Sequence, residues 1–91
     1  MRYFRANAFK RLYKKLSAQR RESVVKSLVL LERMLQEDQP IPGLGLRELR
    51  HGVWEVRAGL LDRIVFSMSQ GTVEFLVVGT HDDIRRFLKR L

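Results

Sequence analysis

The chain has 91 residues, with 18 Lys and Arg against 10 Asp and Glu, a net charge of +8. That length allows one domain, residues 1–91, and that charge points first to a polyanionic partner: nucleic acid, an acidic protein or a membrane surface. There is no cysteine, which excludes a disulfide framework, thiolate zinc sites and a cysteine nucleophile and suits a reducing, cytoplasmic setting. No apolar run exceeds the four residues of Leu28 to Leu31, far below the ~20 that cross a bilayer, so no membrane span is expected.

Met1 to Ala6 reads as a short edge strand with Tyr3 or Phe4 turned inward. The first 21 residues hold eight Lys or Arg and no acid, as a transit peptide would, but Phe9, Leu12, Tyr13 and Leu16 fall at core-facing helical spacing. Asn7 is the expected N-cap of that helix, and Lys10, Arg11, Lys14 and Lys15 occupy its other faces. After a break at Ser17, a second helix runs from about Ala18 to Glu37. Val24, Leu28, Leu31 and Leu35 form its apolar stripe, widened by Val25 and Met34. The two helices make a hairpin that must bury its apolar side. Gln39-Pro40-Ile41-Pro42-Gly43 then forms an extended connector. Gly43 and Gly45 flank Leu44 in a GLGL run that suggests close backbone approach or a turn and matches no phosphate-binding fingerprint.

From Leu46 onward the alternation changes to that of strands. Leu46 to Leu49 begins a meander whose main segments are Val53 to Ala58, Asp62 to Met68 and Thr72 to Val78. With Gln70-Gly71 as a two-residue turn, Phe66 faces Phe75, Ile64 faces Val77 and Arg63 faces Val78. A three-residue loop, Gly59-Leu60-Leu61, pairs Arg57 with Arg63 and Trp54 with Phe66. A two-residue loop would put Arg63 beside Trp54, so burial selects the longer one. Ile64, Phe66, Met68, Val73, Phe75, Val77, Trp54 and Val56 then form the face that receives the helical hairpin. Glu55, Arg57, Arg63, Val65, Ser67, Glu74 and Leu76 lie opposite. Two arginines side by side repel unless a carboxylate or another anion lies between them; Glu55 and a bound anion are the two ways to satisfy them. After Val78, Thr80 and Asp83 stand at capping-box spacing before a final amphipathic helix. It carries Ile84, Phe87, Leu88 and Leu91 against Arg85, Arg86, Lys89 and Arg90.

The element order, together with the run LRxLRxGVWEVR, the DRIVF segment and the VVGTH ending, resembles the RelE/ParE superfamily of type II toxin–antitoxin toxins. The likeness spans nearly the whole chain. It is strongest to the ribosome-dependent messenger RNA endonuclease branch that includes RelE, YoeB and YafQ. The resemblance implies an α+β, RelE-like fold, an antiparallel sheet on an N-terminal helical hairpin in the order β-α-α-β-β-β with a C-terminal helix. It implies the ribosome, messenger RNA and a cognate antitoxin as partners, and no cofactor. Arg63 matches an arginine that contacts the scissile phosphate, and His81 a histidine that one member carries in its own GTH string. Asp62 matches an active-site aspartate if a gap is allowed. Arg57 stands where another member has a basic-cluster lysine, and Glu55 replaces a second such lysine. Leu44 and Phe87 depart from a family carboxylate and a family tyrosine. The superfamily also contains ParE-like members that poison DNA gyrase without cutting RNA, and charge alone would serve a non-catalytic nucleic-acid-binding module.

Cleavage by attack of a 2′-hydroxyl on the adjacent phosphorus needs a base, a cation for the charge gained at phosphorus, and an acid for the leaving 5′-oxygen. Arg63 offers a permanently charged fork for phosphate oxygens. His81 can exchange a proton near neutral pH. Glu55, Asp62 and His51 are further candidate bases. Arg47, Arg50, Arg57 and Arg86 form a footprint for the RNA backbone. No metal is required, and two histidines without cysteine make a poor zinc set.

Overall fold

Alternating and helical spacings translate directly into elements in the computed structural model, which describes residues 1–91. In chain order these are β1 (Arg2–Arg5), α1 (Asn7–Lys15), α2 (Ala18–Glu37), β2 (Arg47–Arg50), β3 (Val53–Ala58), β4 (Asp62–Ser69), β5 (Thr72–Thr80) and α3 (His81–Lys89). The five strands form one sheet in the order β1-β5-β4-β3-β2. The segment at Leu46 becomes a full fourth meander strand. β1 joins the opposite edge in parallel to β5, while every other pairing is antiparallel. The sheet is therefore mixed at one edge.

The main core lies between the sheet and the two N-terminal helices. Phe9 and Leu16 from the α1 side and Val24, Leu31 and Met34 from α2 pack with Val56, Ile64, Phe66, Val73, Phe75 and Val78. The rings of Phe9, Phe66 and Phe75 meet at centroid distances of 5.8 and 6.2 Å, within the range where aromatic pairs add to area burial. Tyr3 is the inward residue of β1 and stacks on Phe75, while Phe4 stays exposed.

Three local expectations change. Asn7 is the first helical residue of α1; Ala6 holds the cap position, in extended geometry and without a side-chain bond. Val25 is exposed, because the buried positions of α2 are Val24, Ser27, Leu31 and Met34, and a residue one place on from Val24 is turned about a quarter circle away. Ser27 takes its place on the sheet side and donates a hydrogen bond to the Arg57 carbonyl.

The third change concerns register. The β4–β5 hairpin starts as expected, with Ser69 opposite Thr72 and Phe66 opposite Phe75. It then slips by one residue, so Val65 faces Val77, Ile64 faces Val78 and Arg63 faces Gly79. The extra residue on β5 is Leu76, and the slip reverses the facing of everything beyond it. Val78 enters the main core, while Val77 turns to the other face and joins Val65 and Ile84 in a second cluster, flanked by Leu49, Val53, Leu76, Phe87 and Leu88. The bulge thus buries two consecutive valines on opposite sides of the sheet. It also makes the outer face half apolar, and α3 lies over that half.

The three-residue loop holds: Ala58 pairs with Asp62, Arg57 with Arg63 and Trp54 with Phe66. Gln70 and Gly71 both have positive φ, 50° and 77°, as a two-residue hairpin turn of the primed type requires.

Candidate functional site

The uncovered half of the outer face carries the charge. β2, β3 and β4 place Arg47 opposite Glu55 and Arg57 opposite Arg63, with all four side chains on that side of the sheet. One Glu55 oxygen, Oε2, accepts a hydrogen bond from Arg63 Nη1 and forms an ion pair with Arg47 Nη2, at 3.0 Å each. The Glu55 side chain is 6% exposed, that of Arg63 27% and that of Arg47 62%, so the carboxylate forms a floor beneath two partly open cations. Of the two ways to satisfy the neighbouring arginines, the carboxylate is present. It does not finish the task. Two guanidinium groups share the one carboxylate, and a third, that of Arg57, has no acidic partner.

Two nitrogens that each lie 3.0 Å from one oxygen are no more than about 6 Å apart. At that separation two cations repel by roughly 3 kcal/mol at an effective dielectric of ~20, less where water screens them. Glu55 between them offsets that repulsion, and Arg57, which has no acidic partner, adds the charge that a further anion would balance.

Glycines border the arginine pair on both sides. Gly45 has φ of 69°, and a β-carbon there would lie 2.9 Å from Arg57 Cγ, so the Arg57 side chain occupies the space that a larger residue would fill. The Leu44 carbonyl accepts from the Arg57 amide at 2.9 Å, which ties this loop to β3 just beyond the β2 pairing. The close approach suggested by the GLGL run is made to an arginine. On the other side, Gly79 lies opposite Arg63, and a β-carbon at Gly79 would come within 2.6 Å of the Asp83 carboxylate. Asp83 bends back over Gly79 to accept from the Thr80 amide and hydroxyl while the Thr80 hydroxyl accepts from the Asp83 amide, completing the capping box. These hydrogen bonds, led by the Thr80 amide and aided by Arg86, hold the Asp83 carboxyl below the usual aspartate value despite its partial burial.

The remaining candidates divide by position. His81 is the first residue of α3, exposed, two residues past Gly79 and so at the Arg63 end of the sheet; no hydrogen bond or ion pair joins it to Arg63 or Glu55. His51 lies in the β2–β3 turn at the far end, beyond the Val53–Ser67 pair. The two histidines do not share a site. Arg50 is drawn to the end of α3, where it donates to the Leu88 carbonyl at 2.8 Å. Arg86 pairs with Asp83 on α3 itself. Neither joins the Glu55 group.

Asp62 faces the other way. Its carboxylate is 1% exposed on the helix side and receives two hydrogen bonds from Arg20 of α2, Nε to Oδ2 at 2.8 Å and Nη2 to Oδ1 at 2.5 Å. This bidentate pair leaves Asp62 without access to a substrate on the outer face. Arg20 gave no sign of that role in the sequence, since 42 residues separate it from its partner.

No three His, Asp or Glu side chains converge in an arrangement that could hold a metal ion. An anion at this surface would meet arginine charge, and His81 stands exposed at the same end of the sheet.

The sheet backed by two N-terminal helices has a fold similar to that of solved YafQ, RelE and YoeB/ParE toxins. Three solved structures illustrate the likeness. The Escherichia coli DinJ-YafQ complex gives a TM-score of 0.69 at 19% identity, over 92% of this chain and 98% of that one. The RelB-RelE antitoxin-toxin complex from Methanococcus jannaschii gives 0.69 at 16%, over 92% and 96%. The YoeB/ParE toxin from Agrobacterium tumefaciens gives 0.66 at 17%, over 89% and 99%. At the level of sequence, no family model and no curated protein matches the chain.

Proposed function

We propose that this protein is the toxin of a type II toxin–antitoxin pair and acts in the cytoplasm as a metal-independent endoribonuclease on ribosome-bound messenger RNA. The observation that carries the proposal is the surplus of guanidinium charge around Glu55: three arginines on one face, one carboxylate among them, and an exposed histidine at the same end of the sheet. Fold likeness to toxins solved in complexes with DinJ and RelB supports an antitoxin partner.

In this reading Arg63 and Arg57 hold the scissile phosphate and take up the charge gained when the 2′-hydroxyl attacks, and Arg47 contacts the RNA backbone. His81 moves the proton, as base to the hydroxyl or as acid to the leaving 5′-oxygen. Arg63→Ala is expected to lower cleavage by about 10²- to 10³-fold. His81→Ala should cost about 10²- to 10⁴-fold. Both side chains are partly or wholly exposed, so both variants should fold. Primer extension on messages in a cell-free translation reaction reads the outcome, and codon-phased cuts that persist in a variant remove that residue from the mechanism.

One observation favours a second reading, a gyrase poison of the same fold. Leu44 is buried and Phe87 packs on the second cluster, so the two positions where relatives carry a carboxylate and a tyrosine serve the core here. Uncut RNA with double-strand DNA breaks in expressing cells would select it. Uncut RNA and intact DNA, with RNA still bound, would leave a binding module.

A further inference from the structure

Glu55 stands among the candidate bases by type, but its surroundings fit another task. It is nearly buried at the centre of the outer face, and the oxygen it uses is already shared by two guanidinium groups from different strands. Arg63 is a diagonal neighbour of Glu55, because the residue directly across from Arg63 is Arg57 and the residue directly across from Glu55 on β4 is Val65. Left to itself, Arg63 would face a like charge at the closest cross-strand distance. Instead it reaches along the sheet to Glu55 Oε2. Arg47, directly across from Glu55 on the edge strand, is drawn to the same atom.

We infer that Glu55 is a positioning residue: a fixed counter-ion that gathers Arg47 and Arg63 and keeps the Arg63 fork aimed beside Arg57 when no RNA is bound. This rests on the proposed RNA-cutting role and adds a division of labour within the site. The carboxylate contributes alignment and opposes binding, since it repels the phosphate that the arginines attract. Removing its charge while keeping its shape should therefore move affinity and rate in opposite directions. Loss of a general base would move affinity in the same way in Glu55→Gln but would also abolish the rise of rate with pH on the acid side, which loss of a positioning residue leaves in place. Loss of a purely structural residue would lower stability and leave the folded fraction acting as wild type.

The test uses the full chain as wild type, Glu55→Gln and Glu55→Asp, with thermal melts to establish folding. Each is titrated with a single-stranded RNA oligonucleotide carrying a 2′-deoxy sugar at the cleaved position, at several salt concentrations, and each is assayed for single-turnover cleavage on programmed ribosomes across a range of pH. Glu55→Gln should bind several-fold tighter, with a salt slope steeper by about 0.7, and cut at least tenfold more slowly once bound. Glu55→Asp keeps the charge but withdraws it by one methylene, so its affinity and salt slope should match wild type while its rate falls. The aspartate arm also serves if the glutamine variant fails to fold. Cleavage at the wild-type rate in either variant, unchanged affinity in Glu55→Gln, or loss of the acid-side rise in the Glu55→Gln pH–rate profile overturns the assignment. If wild type itself cuts no RNA, the endoribonuclease reading fails. The binding titrations then still decide whether Glu55 opposes anion binding, and an unchanged affinity and salt slope in Glu55→Gln overturns the inference by itself.

Discussion

The sheet has two nearly buried carboxylates, one on each face, and their partners make the difference between them. Asp62, on the helix side, meets a single arginine in a bidentate pair that uses both oxygens and leaves the charges balanced. Glu55, on the outer side, meets two arginines through one oxygen while a third arginine stands beside them without a carboxylate. A balanced buried pair has nothing left to offer a ligand, and removing one partner leaves an uncompensated charge in the interior. A cluster with surplus charge at a half-open surface still calls for an anion. The same chemical groups serve the fold in one place and, in the proposed function, hold a substrate phosphate in the other.

The largest effect that can break this contrast is a crossed pair of substitutions. Arg63→Ala should remove growth arrest, with a fall in cleavage of about 10²- to 10³-fold, and shift the melting temperature by only a few degrees. Asp62→Ala should do the reverse, costing about 2–4 kcal/mol by stranding Arg20 and lowering the melting temperature by roughly 10–20 °C, while the folded protein still cuts. Arg20 is about one-third exposed, which holds the cost below that of a fully buried pair. Circular-dichroism melts beside toxicity assays give both readings. A stable but inactive Asp62→Ala would return Asp62 to the site and end the contrast.

A smaller effect tests the border of the outer cluster. Gly45→Ala introduces a β-carbon at positive φ and 2.9 Å from Arg57 Cγ, so the backbone is strained and the arginine must move. The expected cost is about 1–2 kcal/mol in stability, together with weaker binding of single-stranded RNA through a displaced Arg57. Gly43→Ala is the control, since φ there is also positive but the space around it is empty. It should lose stability without losing RNA affinity. Equal RNA affinities in the two variants would show that Arg57 has no need of the gap.

Parity made much of this legible in advance. Alternation alone put Trp54, Val56 and Phe66 on the helix side and Glu55, Arg57 and Arg63 opposite, and the three-residue loop followed from the same parity. What parity could not show was the point at which it breaks. The bulge at Leu76 is one extra residue in a run where Leu76, Val77 and Val78 are all apolar, so any register through them looks equally good. That slip brought Gly79 to Arg63 and gave α3 an apolar strip to cover. The Arg20–Asp62 pair was invisible for another reason. Asp62 entered the candidate bases through the family resemblance, although its parity with Ile64 already puts it on the helix side, and nothing local marks an arginine 42 residues away as its partner. Capping chemistry, by contrast, is local, and the Thr80–Asp83 box was readable from its spacing alone.

That box gives the smallest prediction and the one with a pH signature. Asp83 is a third acid in contact with arginine, but its first ties are to the Thr80 amide and hydroxyl, so its charge fastens the start of α3 and with it His81. Its carboxyl titrates lower in the folded chain than in the unfolded one, where the value is about 3.9. The folded state therefore holds fewer protons on Asp83 at low pH. Its contribution is fully present above the unfolded value and fades as pH falls through the folded one. Asp83→Asn keeps the shape and removes the charge. At pH 7 it should cost about 0.5–1 kcal/mol, a figure kept small because the side chain is 38% exposed, and lower the melting temperature by a few degrees. Melts of wild type and variant at pH 7, 5 and 3 should show the gap holding to pH 5 and closing below about pH 4. A gap of the same width at pH 3 would mean that the shape of the cap, and not its charge, secures the helix that carries His81.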